Sequence, residues 1–210
     1  MADTTVTVQT LVNNTIVRQK DSQKLDWADA ELLIYVNKAR DYIHKLLVVD
    51  GQEIAITTGD ITMVASTQEY DLSGNLDDFW CMSTNGVYFT GATTPLIPVT
   101  AEDKIRYGGS TTNAAPAYYY LTPTKIGVIP IPTATSVSVY GTLNCRYFKK
   151  EADLALTDSM PYKNIFNEPV SMFVSNMAML RLGVDTAEYT AIYNNLETSV
   201  RAIIARRSQL

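Results

Sequence analysis

The chain has one histidine and two cysteines among its 210 residues. Cys81 and Cys145 are too few for a disulfide framework, and neither belongs to a CxxC pair. Two buried thiols are the expectation. One histidine with two separated cysteines makes no zinc set, since a structural zinc takes four nitrogen or sulfur ligands. A general base needs a nucleophile beside it or a carboxylate to orient it. His44 has Asp41 three residues earlier, which is equally an ordinary helix-surface neighbour, so a solvated or helix-capping histidine is predicted. No apolar run approaches the ~18 residues of a membrane span. The N-terminus, MADTTVTVQT, lacks a basic stretch followed by an apolar one and does not read as a signal peptide. The expectation is a soluble product made in the cytoplasm. Positive charge is also short: 17 Lys and Arg against 22 Asp and Glu leave a net charge of −5. Such a chain has no general electrostatic pull toward phosphate backbones.

Two segments imitate binding loops. In DLSGNLDDFW, Asp71, Ser73, Asn75 and Asp77 alternate as in a calcium loop. Leu76 holds the position that requires glycine, however, and Met82 stands where the bidentate glutamate belongs, so the segment reads as a turn. YGGST at 107–111 lacks both a GxGxxG pattern and a following lysine, and reads as a hairpin tip. No metal or cofactor is expected.

Helical periodicity is strong at both ends. In LDWADAELLIYVNKARDYIHKLLVVDG, Leu32, Val36, Ala39, Ile43 and Leu46 form an apolar stripe widened by Leu33 and Leu47. Asp26 is the predicted N-cap, Asp29 its partner in a capping box, and Asp50-Gly51 the stop. Val8 to Ile16 predicts a shorter helix upstream. Near the C-terminus, Val170, Phe173, Val174, Met177 and Leu180 form a second stripe, with Asn167 as cap and Pro169 in the first turn. Asp185 and Glu188 predict the start of a last helix, with Tyr189, Ile192, Leu196, Val200 and Ile203 on its apolar face. None of these helices buries its stripe alone, so residues 26–48 are predicted to pack against 168–207.

Between them the texture is β-rich. Short runs such as EIAITTGDITMVA, GVYFTG and SVSVYGTLNCRYF are cut by turn residues. Alternation over Ser136–Tyr140 predicts a strand with Val137 and Val139 on one side. Thr100 and Asp103 predict one or two helical turns. In APAYYYLTPTKIGVIPIP, Tyr118 and Tyr120 point to one face of a strand and Tyr119 to the other, so they form no single stacking platform. No cations interleave with them, as a single-strand nucleic-acid binder would require. VIPIP is predicted to return along a sheet edge. The predicted fold is α+β: residues 1–53 and 151–210 form a helical bundle, and residues 54–150 an inserted antiparallel β-sandwich-like module.

The order of these features resembles the head–tail adaptor, or connector, proteins of tailed bacteriophages, including the tail tubular adaptors of short-tailed phages. The resemblance is carried by VQTLVNNTIVRQKD, by the W-x-D-A-E-L-L-x-Y-V-N-x-A-R helix start at Trp27–Arg40, by the hairpin from Tyr118 to Phe148 and by the two closing helices. VVDGQE departs from the Arg-Pro-Asp-like turn of many relatives, which leaves the placement of the β module open. The resemblance implies a structural virion protein of the head–tail junction and not an enzyme. It implies a homo-oligomer, usually a dodecameric ring, between the portal protein and a tail or nozzle protein, with DNA passing through the lumen and no membrane partner. A terminal segment often reaches the portal in this family, which makes Arg201, Arg206 and Arg207 the candidate partner-binding residues. The alternative is a virion accessory module that binds a host-surface receptor or glycan through its tyrosine-rich sheet.

Overall fold

The computed structural model describes residues 6–18, 27–103, 106, 115–181 and 189–207. The chain divides into two compact units, residues 1–50 with 151–210, and residues 51–150. The first unit holds α1 (Val8–Arg18) and α2 (Asp29–Val49). The second holds β1 (Ile56–Thr62), β2 (Glu69–Asp71), β3 (Phe79–Phe89), β4 (Ile97–Pro98), β5 (Tyr118–Leu121), β6 (Lys125–Ile129), α3 (Ala134–Tyr140) and β7 (Thr142–Lys149). The chain then returns to the first unit with α4 (Asn167–Arg181) and α5 (Tyr189–Arg207). The fold class is α+β.

The apolar stripes build the helical unit. Leu32, Val36, Ala39, Ile43 and Leu47 of α2 are buried, as are Val170, Phe173 and Val174 of α4 and Ile192, Leu196 and Val200 of α5. Helix α2 packs on α4 and α5, α4 on α5, and α1 on both α2 and α4. The predicted caps fare differently. Asp26, Gly183, Asp185 and Glu188 lie outside the described residues. Helix α2 begins at Asp29 behind Ala28, which offers no side-chain bond. Asp29 and Glu31 in its first turn supply the negative charge that suits a helix N-terminus. Asn167 does not cap α4, since its Oδ1 is buried without a hydrogen-bond partner among the described residues.

In the β unit, β1-β7-β3 form one sheet and β2-β6-β5-β4 a second. Their inner faces share one apolar core: Ile61, Val87, Leu143 and Tyr147 from the first, and Tyr70, Tyr119, Ile126 and Val128 from the second. Pairing is antiparallel except between β4 and β5. Residues 134–140 depart from the predicted strand and form α3. Thr133 and Ser136 make a capping box, with Ser136 N–H donating to Thr133 Oγ1 at 3.2 Å and Thr133 N–H to Ser136 Oγ at 2.8 Å. Two satisfied orphan donors outweigh a weak β propensity over five residues. Val139 consequently points outward, 67% exposed. Strand β6 is an inner strand and ends at Ile129, so Pro130 and Pro132 lie beyond it rather than on an edge, and the Ile129–Pro130 bond is cis. Of the predicted turn at Thr100, the described part shows Asp103 Oδ2 accepting from Thr100 N–H and Oγ1–H at 3.1 and 2.8 Å.

The tyrosine triplet is packing. Tyr119 is in the core, and Tyr120, 1% exposed, lies across Gly127 of the paired strand and donates its hydroxyl to Glu69 Oε1 at 2.7 Å.

Candidate assembly surface on the C-terminal helix

Helix α5 is fixed to the end of α2 by polar contacts beside its apolar stripe. Tyr42 donates to Glu197 Oε2 at 2.7 Å. One turn later Arg201 donates through Nε to Glu197 Oε1 at 2.8 Å and through Nη1 to both oxygens of Asp50 at 2.8 and 3.0 Å. Asp50 is the C-cap of α2. Hydrogen bonds from Arg201 and then Tyr42 hold the Glu197 carboxyl below its ordinary range. The bond to Glu197 in turn raises the Tyr42 phenol. Tyr193 joins the helices by ring contacts at 5.0 Å to Tyr42, Phe173 and Tyr189. Beside it α4 and α5 frame a shallow groove of about 250 Å³, lined by Met172, Phe173, Asn176, Ile192 and Asn195. Its apolar floor and amide rim suit a protein contact better than a small polar ligand.

The three candidate arginines differ in place. Arg201 is engaged by Asp50 and Glu197, so a partner carboxylate must compete with two resident ones. Arg206 is exposed and has no ion-pair partner among the described residues. Arg207 ends α5, and its side chain lies outside the described set.

His44 corrects the expectation of a solvated histidine. It is buried, with Nδ1 against the Tyr162 hydroxyl and its ring stacked on Tyr162 at 6.2 Å and 11°. The apolar stripe of α2 carries it inward, because it follows Ile43 and precedes Leu46 and Leu47. Burial raises the Tyr162 phenol, and the two rings form a packing contact inside the helical unit. Arg40 is a second interior group, adjoining Ala39 on the same stripe. It is 1% exposed and donates to the Ala152 carbonyl, Asn37 Oδ1 and Asp153 Oδ1. Asn37 adds bonds to Leu154 N–H at 2.8 Å and to the Leu154 carbonyl at 3.1 Å. Together these two side chains fix the chain where it re-enters the helical unit. The signal for them was an arginine inside an apolar stripe.

The thiols are also quiet. Cys145 is buried and pushed up to about 12 by that burial, and half-buried Cys81 is raised for the same reason. Among the described residues no group of three or more His, Cys, Asp or Glu converges as a metal site, and no helix is long and apolar enough to cross a membrane.

No curated protein matches the chain significantly. The family model described as SU10 adaptor protein matches residues 3–208, nearly the whole length. That family is one of bacteriophage structural adaptors, which are virion components assembled with other structural proteins and not enzymes. Spanning both units and every described element, the match shows that the chain belongs to the SU10 adaptor protein family.

Proposed function

We propose that the chain is the head-to-tail adaptor of its virion, a ring of identical copies docked beneath the portal that forms part of the DNA conduit. The family match over residues 3–208 carries this reading. Two further features support it. The net charge of −5 suits a lumen that lets DNA slide without binding it. Helix α5 ends in two arginines, and guanidinium groups pair bidentately with carboxylates, so an acidic portal surface is the partner they fit. Arg206 and Arg207 are the contacts in this reading, with Arg201 reachable only by exchange from Asp50 and Glu197. Each contact is weak and salt-sensitive, but a ring repeats it in every subunit. The glycan-binding alternative draws no support from the β unit, where Tyr119 and Tyr120 are buried.

Co-sedimentation with DNA-filled, tailless heads tests the proposal. The full chain binds heads that carry the portal and not portal-free shells. Deleting residues 206–210 leaves the fold intact and weakens binding, more so at low than at moderate salt, where the arginine contacts are already screened. Equal binding to portal-free shells contradicts the docking reading. Equal binding by both forms at both salts removes the arginines from it.

A further inference from the structure

Strand β1 pairs with β7 without interruption from Ile56↔Phe148 to Thr62↔Thr142. Met63 N–H donates to the Gly141 carbonyl at 2.8 Å, which sets the phase of that ladder. Antiparallel alternation then turns the backbone groups of Thr57, Gly59 and Ile61 toward β7, and those of Thr58, Asp60 and Thr62 away from it. The Thr90 N–H bond to the Thr142 carbonyl confirms the phase from the other side of β7. Among the described residues, the outward backbone groups of Thr58, Asp60 and Thr62 have no partner.

The other edges are closed or short. On β3, the Val87 carbonyl accepts from Leu96 N–H at 2.8 Å and the Phe89 carbonyl from Ala92 N–H at 2.9 Å, and the strand is broken by two register shifts. Strand β4 has two residues, and one is Pro98, which has no N–H. Strand β2 has three residues. Strand β1 has seven, with no proline, no bulge and no basic residue. Proteins blunt exposed edges with these same devices, because an unpaired edge is a template for another strand.

We propose that the free edge of β1 takes an extended segment of a different virion protein as an added strand, with a basic side chain set opposite Asp60. Backbone pairing supplies the affinity, as in other strand-addition interfaces. Side chains supply the selection. Thr58, Asp60 and Thr62 are exposed on the solvent face of the sheet, and a paired strand brings its residues to within about 5 Å of them. Asp60 is the only charge on this strand. A second copy of this chain fits poorly: β1 would bring Asp60, β2 would bring Glu69 and Asp71, and β3 and β4 have little backbone to offer. The proposal rests on the adaptor reading above, in that the segment comes from a neighbour in the virion.

The test is amide hydrogen exchange of the full chain, free and recovered from purified virions, read residue by residue. In the free chain, Thr58, Asp60 and Thr62 exchange at least tenfold faster than Thr57, Gly59 and Ile61. In virions that difference disappears. Outer amides that stay fast in virions overturn the proposal, and so does concentration-dependent protection in the purified chain, which would assign the edge to a second copy. Two variants test the same edge. Thr58→Pro removes an outward donor and no ladder bond, and Asp60→Lys reverses the selecting charge. Both melt near wild type and enter particles at least tenfold less efficiently. Wild-type incorporation of a folded Asp60→Lys chain overturns the proposal, whether or not Thr58→Pro folds. Absence of the wild-type chain from virions would instead refute the adaptor reading itself.

Discussion

Gly127→Ala is the sharpest test of how the tyrosine hairpin is held. Gly127 has no unusual backbone angle, and what it provides is room. A Cβ at this position would stand 2.1 Å from Tyr120 Cζ and 2.5 Å from its hydroxyl oxygen. The ring cannot yield slightly, because both its end and its edge are in the way. It must leave, and its bond to Glu69 Oε1 goes with it. Overpacking costs about 1–3 kcal/mol, and a hydrogen bond to a charged group is worth about 1.5–3. Alanine recovers about 0.5–1 kcal/mol over glycine within a strand. The net loss is roughly 2–5 kcal/mol, on these same terms. In a unit spanning residues 51–150, each kcal/mol lowers Tm by about 4–8 °C. Calorimetry of the full chain, with the β-unit transition followed by near-ultraviolet circular dichroism, reads this directly. A double-mutant cycle identifies the cause: in a Tyr120→Ala background, Gly127→Ala costs little more. A melt within 2 °C of wild type, or an undiminished cost in the Tyr120→Ala background, refutes the reasoning.

Val174→Asp places an unpaired carboxylate at a fully buried position of α4, the helix that packs on α1, α2 and α5, and is expected to cost about 4 kcal/mol or more. A helical circular-dichroism melt like that of wild type contradicts the packing described for that unit. Glu197→Gln bears on pH. The folded-state carboxyl lies below its ordinary value, so its stabilisation is present above about pH 4.3 and is lost as pH falls through the folded value. Wild type is therefore the more stable at pH 7, with the two melts converging as pH falls through the folded value; a gap that stays constant over that fall counts against the network. His44→Ala lowers stability by about 1–3 kcal/mol, by leaving the buried Tyr162 hydroxyl without its partner. An unchanged Tm would show that the contact is not maintained in solution.

The helices were legible because their signal repeats. The stripes of α2, α4 and α5 each recur over about three turns or more, and no local preference competes with them. The β unit was legible as a texture but not in its pairing. Two strands flank Pro123-Thr124 as a hairpin, yet nothing local announces that β1 crosses to β7, eighty or more residues away. Residues 134–140 misled because alternating valines and serines over five residues fit a strand, while Thr133 and Ser136, the decisive pair, needed only each other. His44 misled for a different reason. A helix end invites a capping role, but the stripe of α2 continues through its last turn and carries the ring into the interior. The arginines at the C-terminus were placed on the final helix from the sequence. That Arg201 is engaged by Asp50 was not visible there, because the partner lies 151 residues away.

Asymmetric reconstruction of tailless, portal-bearing heads incubated with the purified chain tests the central claim most directly. The adaptor account predicts added density at the single portal vertex, arranged as a closed ring of identical copies around an open channel, with α5 against the portal. Density spread over the other vertices, or no added density at the portal when the protein is folded and in excess, contradicts it.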